Sequence, residues 1–161
     1  MSPIVKIQVH EHAATVTLNR PAHCNGITAD MMRELHVALR ALATDKDVRV
    51  VVLKGQGADF CPGADIKHYA SSARGDSGTP TEYFQIPVML HGRSAVTIAA
   101  VAGACAGAGV GWACAGDFRI ASETARFNSA FLDVAVAGDM GGPWTLPRLV
   151  GAAKARELYF L

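Results

Sequence analysis

Apolar and polar residues alternate along residues 4–10 and again along 13–18, a period of two that predicts a hairpin of two half-buried strands around Glu11 and His12. At Thr28 the period changes. Met32, Leu35, Leu39 and Leu42 recur at helical spacing, with Thr28 placed to cap and Asp30 near the positive end, so a helix is predicted through about residue 43. Residues 48–53, VRVVVL, are too short and too β-branched for a helix and predict a buried strand that ends in the Gly55-Gln56-Gly57 turn. Residues 60–66, FCPGADI, form a turn before a helical stretch that starts near Asp65. Residues 71–80 lack periodicity and predict a mobile loop over a cleft. Residues 81–93 are helical in character, with Pro87 kinking or restarting the helix. A strand and a Gly-rich helix follow within 97–117, then a short strand over 117–122. After an irregular stretch at 125–142, short helices are expected from about Pro143 and Ala152. This alternation predicts an α/β layered fold in one domain, residues 1–161.

The stretch over 97–117, TIAAVAGACAGAGVGWACAGD, carries no charge before its last residue and places Gly103, Gly107, Gly109 and Gly111 close together. Such spacing lets backbone approach a ligand or another strand directly. Three readings are open. The uncharged run is long enough for a membrane span, but its Ala and Gly insert poorly. The glycines also mimic a dinucleotide-binding turn, although they lie two-thirds of the way along the chain with no Tyr-x-x-x-Lys pair after them. The third reading is a buried strand, a tight turn, and a helix whose first N–H groups face a pocket.

Composition narrows the choice. Half of the 161 residues are apolar, enough for a core, and a net charge of +1 without a Lys/Arg cluster argues against nucleic acid and anionic membrane as partners. Cys24, Cys61, Cys105 and Cys114 show no Cys-x-x-Cys spacing and are expected as buried free thiols in a reducing compartment, the cytoplasm. His10 and His12 share a strand face without further ligands, so no metal is expected. The helix that stops at Leu161 without a capping residue suggests a continuation beyond the sequence.

Several segments in order resemble the enoyl-CoA hydratase/isomerase (crotonase) family: Leu18-Asn19-Arg20-Pro21, DVRVVVLKG at 47–55, FCPGADI at 60–66, IAAVAGACAGAGVG at 98–111, DFRIASE at 117–123, Gly141-Gly142 and LPRLVG at 146–151. The resemblance implies a spiral of ββα units, usually assembled as trimers or hexamers, acting on an acyl-CoA thioester. Coenzyme A then enters as part of the substrate, with no cofactor tightly bound. The family's C-terminal helices are expected to lie beyond residue 161.

By the same resemblance, the N–H groups of Ala64 and Ala108 hold the thioester oxygen as it gains negative charge, a contribution of roughly 3 to 4 kcal/mol for each donor in a dry site. Gly63, Asp65, Ile66 and Gly107 border the donors and are expected to bind substrate. The same is expected of Gly111, Phe131, His68 and His91, the two histidines flanking the predicted loop. Hydratases carry two glutamates where this sequence has Gly111 and Phe131, so the acid and base that water addition needs are missing. Asp139, 31 residues beyond Ala108, stands where dienoyl-CoA isomerases and chlorobenzoyl-CoA dehalogenases carry a working aspartate. Its roles are acid/base or nucleophile; the plain alternative is a turn aspartate capping the next helix. Asp133 is expected to be structural or exposed, Cys61 a packing residue, and Trp112 and Trp144 core or interface aromatics.

Overall fold

A computed structural model describes residues 2–71 and 80–160. Strands β1 (Val5–His10) and β2 (Ala13–Leu18) pair antiparallel, Val5 opposite Leu18 and His10 opposite Ala13. β2 buries Ala14, Val16, Leu18 and Thr17, whereas most of β1 faces outward. Helix α1 (Ala29–Thr44) begins where Thr28 Oγ1 accepts from the N–H of Met31 at 3.2 Å. The stripe formed by Met31, Met32, Leu35, Leu39 and Leu42 is buried. Glu34 accepts from the N–H groups of Ile4 and Val5 at 2.8 and 2.9 Å, which ties α1 to the start of β1.

β3 (Val50–Gly55) starts two residues later than its apolar run predicts, because the N–H groups of Arg49 and Val50 both bond to the carbonyl of His12 at the hairpin end. β4 (Val96–Val101) pairs parallel to β3 and β6 (Phe118–Ala121) parallel to β4, giving a five-stranded sheet in the order β1-β2-β3-β4-β6. Only β1 runs against the rest. Two three-residue strands, β5 (Ala104–Ala106) and β7 (Arg126–Asn128), pair in a second small sheet.

Between these strands lie α2 (Ile66–Ser71), a 3-10 turn at Thr81–Gln85, and α3 (Ile86–His91). Pro87 sits in the first turn of α3, where its missing N–H costs nothing, so it starts a helix and does not kink one. The loop expected at 71–80 falls almost wholly outside the described residues. α4 (Ala108–Ala115) has every residue buried, Trp112 among them. Its carbonyl end is held by Arg119, which donates to the carbonyls of Gly116 at 2.8 Å and Asp117 at 3.2 Å, a cation at the negative pole. α5 (Gly142–Val150) packs on α4, and α6 (Ala152–Phe160) packs on α5. Among the described residues, no helix is long and apolar enough to cross a membrane.

All four cysteines are free, but Cys24 is exposed, against the expectation of buried thiols: it closes the short 3-10 turn Pro21–His23 in a left-handed conformation at the surface. Burial pushes the Cys61 thiol up to about 12, which makes it inert and suits packing. Among the described residues, no three His, Cys, Asp or Glu side chains cluster as metal ligands would.

Candidate active site

Two turns meet at one cavity. The first leaves Cys61, which is bridged to Cys105 of β5 through N–H to Ala104 and carbonyl to Ala106, both at 2.9 Å. It then bridges Ile27: the N–H of Ile27 donates to Gly63 at 2.8 Å and the N–H of Asp65 to Ile27 at 2.9 Å. In such a parallel bridge the residue between the two bonds turns its own N–H away from the partner strand. Ala64 is that residue.

The second turn is Gly107, which caps α4 with φ +50° and ψ −124°, a conformation that suits glycine, while its own N–H donates to Asn128 at 3.0 Å. Ala108 follows as the first residue of α4, one of the positions whose N–H has no helical acceptor. Among the described residues, neither Ala64 nor Ala108 donates its N–H to a protein acceptor. The turns are in close contact. A Cβ built on Gly63 lies 3.1 Å from the Ala106 oxygen and 3.4 Å from the Ala108 nitrogen, so a side chain there would drive them apart.

The cavity is about 350 Å³. Gly63, Ala64, Gly107 and Ala108 supply its main-chain wall, and Ile66, Tyr69, Phe131 and Val136 its apolar walls. Ile66 and Tyr69 lie i, i+3 on one helical face, a spacing from which Tyr69 could be found beside Ile66. Among the described residues that line the cavity, Asp139 is the only carboxylate. Its Oδ1 is buried without a hydrogen-bond partner, and burial raises its carboxyl above the ordinary value. It does not cap the next helix: Gly141 holds that position, with no side-chain cap. A carboxyl half withdrawn from water, beside two unpaired N–H donors and apolar walls, can exchange a proton with a bound ligand or attack it, while the donors hold a developing oxyanion.

Four of the expected substrate-binding residues do not line this cavity. Asp65 turns back to Arg20, whose guanidinium donates to it at 2.9 Å, and accepts from the N–H of His68 at 3.0 Å. These bonds hold its carboxyl below the usual range. Its work is to tie α2 to the segment after β2. His68 lies on α2 with its ring edge-on to Tyr69. His91 ends α3 and meets Trp144 edge-on, ring centres 5.1 Å apart, while Arg148 covers the Trp144 ring at 3.9 Å. Gly111 faces Met140: a Cβ built there would lie 2.4 Å from the Met140 oxygen. Phe131, by contrast, lines both the cavity and a recess of about 700 Å³ that includes Tyr159, and the two rings stack with centres 6.1 Å apart. Asp133 is exposed in the 3-10 turn Leu132–Val134.

The family model for enoyl-CoA hydratase/isomerase matches residues 8–161. The 1,2-epoxyphenylacetyl-CoA isomerase of Escherichia coli K12 is 34% identical over 100% of this chain and 63% of its own length. The peroxisomal Delta(3,5)-Delta(2,4)-dienoyl-CoA isomerase of Arabidopsis thaliana is 36% identical over 88% of this chain and 55% of its own. Among solved structures, an enoyl-CoA hydratase of Bacillus anthracis superposes with a TM-score of 0.90 at 29% identity, covering 98% of this chain and 62% of that one. A Pseudomonas aeruginosa protein superposes at 0.89 with 39% identity, covering 99% and 69%. The chain therefore spans 55 to 63% of the two curated relatives. A family match from residue 8 to the last residue, on a fold that superposes nearly end to end with solved relatives, places the chain in the enoyl-CoA hydratase/isomerase family.

Proposed function

We propose that this chain carries the reacting part of an acyl-CoA enzyme, in which the N–H groups of Ala64 and Ala108 hold the thioester oxygen as an enolate or tetrahedral oxyanion, and Asp139 moves the proton or attacks carbon. The observation that carries this reading is the single cavity of about 350 Å³ that gathers both turns and Asp139. Isomerisation suits it best among the family's reactions. Shifting a double bond needs one group that removes a proton and returns it elsewhere, whereas adding water needs an acid and a base about one water. Gly111 and Phe131 stand where the hydratase glutamates are expected, leaving a single carboxylate among the described residues that line the cavity. The likeness to proteins named as isomerases in Escherichia coli and Arabidopsis thaliana favours the same direction. Hydrolysis and dehalogenation, with Asp139 as the nucleophile, are the neighbouring outcomes.

The missing glutamates favour one second reading, a non-catalytic acyl-CoA-binding or assembly subunit. A panel of enoyl-, dienoyl- and aroyl-CoA thioesters separates the two. Turnover that disappears in Asp139→Asn supports the enzyme, turnover that persists in it removes Asp139 from the mechanism, and binding without turnover in the parent supports the second reading. A trimer or hexamer is proposed for the assembly. The exposed Phe118, Ile120 and Phe127, each more than half accessible, offer apolar surface for it, and native mass spectrometry reads the result.

A further inference from the structure

The turn that carries Asp139 is wound tightly. Gly138, Met140 and Gly141 have φ of +95°, +46° and +78°, and the N–H of Gly142 closes the turn on the Asp139 carbonyl at 3.0 Å. Met140 is the strained member, a residue with a long side chain in a region that side chains rarely adopt. Its side chain is buried in the core. Three elements hold the turn: Pro87 of α3 would lie 2.9 Å from a Cβ built on Gly141, and α4 and α6 close in from two further sides. On one, α4 comes so close that a Cβ on Gly111 would meet the Met140 oxygen at 2.4 Å and the Met140 Cβ at 3.2 Å. On the other, the Tyr159 ring of α6 lies over the turn: a Cβ on Gly138 would sit 3.3 Å from its Cε1, and one on Gly142 would sit 2.9 Å from its hydroxyl. That ring also stacks on Phe131, within 11° of parallel, so the turn and the apolar wall share one support.

We propose that Gly111 and Tyr159 are positioning residues that clamp the 138–142 turn and so aim the Asp139 carboxylate into the cavity, a role that rests on the reading of Asp139 as the group that acts on the ligand. The argument is steric. The Met140 contact is to backbone oxygen, which has no rotamer to yield, so any side chain at 111 displaces the turn. Displacement moves Asp139 with it, because Asp139 and Met140 share a peptide unit. On the other side, removing the Tyr159 ring leaves Gly138 and Gly142 uncovered and frees the turn to relax its positive φ. An empty position on α4 and an acid on the turn are thus one arrangement.

The test measures the carboxyl of Asp139 directly, through its 13Cγ resonance, assigned by its loss in Asp139→Asn and titrated in the parent, Gly111→Ala, Tyr159→Leu and Tyr159→Phe. Gly111→Ala is expected to bring the midpoint down toward the ordinary carboxylate value as the group swings into water. On a turned-over thioester it is expected to lower kcat roughly 100-fold with KM within about twofold, the cost of a misplacement of about 1 Å. Tyr159→Leu shifts the midpoint in the same direction, and Tyr159→Phe, which keeps the ring, restores most of that shift. Midpoints within about 0.2 units of the parent in both Gly111→Ala and Tyr159→Leu overturn the clamp. The titration needs no activity, so it decides the clamp even where the thioester panel fails. Tyr159→Leu, in a partly exposed position on the last helix, decides it should Gly111→Ala not fold.

Discussion

The two sides of the cavity are built on opposite principles. On the donor side, Ala64 and Ala108 contribute main-chain N–H groups, fixed by bridges to Ile27 and Cys105 and by the start of a wholly buried helix. No side chain has to be in the right rotamer, and no group has to be in the right ionisation state. On the acid side one carboxylate stands on a turn with three positive φ values, half withdrawn from water and lacking a partner for Oδ1. The donor side is stable by construction. On the function proposed above, the acid side carries its role and its instability in the same group, since a buried polar atom without a partner costs about 1 to 3 kcal/mol.

The difference can be broken at each side. The largest expected effect is Asp139→Asn, which keeps the shape and removes the proton: turnover of the best thioester falls by about 10²- to 10⁴-fold while its dissociation constant stays nearly the same. Steady-state kinetics with calorimetry reads both. Next comes Gly63→Val on the donor side, where φ is +92° and the Ala106 oxygen is 3.1 Å from a built Cβ. Strain there costs about 1 to 3 kcal/mol, and a lower Tm is expected together with weaker binding, because the two turns are pushed apart.

A smaller effect is expected from Arg20→Leu. The folded carboxyl of Asp65 is held below its ordinary value by the N–H of His68 and by Arg20. Its bonds therefore stabilise fully above the unfolded value and are lost as pH falls through the folded one. Arg20→Leu lowers Tm at neutral pH and reduces the drop of Tm on acidification, measured by calorimetry across pH 3 to 7, about the range in which carboxylates titrate. The smallest effect separates the sides by sign. Asp139 is raised by burial, so its ionisation costs stability as pH rises from the unfolded value through the folded one. Asp139→Asn is expected to raise Tm slightly at neutral pH and to lose that advantage once the parent carboxyl is protonated.

The parts of the fold legible in the sequence were those with enough residues to show a period. The hairpin and α1 follow their patterns closely, and the Thr28 cap is where its side chain and the first helical N–H groups require it. β5 and β7 are three residues each, too short for any alternation to register, and their partners come from distant segments. In the cavity, the two turns at 60–66 and 103–111 could be located because Gly-rich turns ahead of helices expose N–H groups in a way that local sequence reports, whereas Ala64 and Ala108 as the particular donors are indicated by the family resemblance alone. Asp65 and Gly111, next to those turns, face elsewhere: one is drawn off by Arg20 across 45 residues, the other is filled by the Met140 backbone. Such long-range partners leave no local trace. His68 and His91 were singled out by residue type beside a loop, and residue type carries no direction. Tyr159 is hidden for the converse reason: it belongs to a helix with no chemical motif, and only folding lays its ring over the Asp139 turn.

The wholly buried α4 limits how this chain can change. Apart from Trp112, its side chains are small, and small residues have few or no rotamers with which to adapt to a different ligand. A helix of that kind can hold a reacting centre in place through many substitutions elsewhere, but it offers little to vary. On the function proposed above, new acyl preferences would have to be written into Ile66, Tyr69, Phe131 and Val136, the side chains of the apolar walls. On that reading the chemistry is inherited with the backbone, and the choice of substrate is left to the walls.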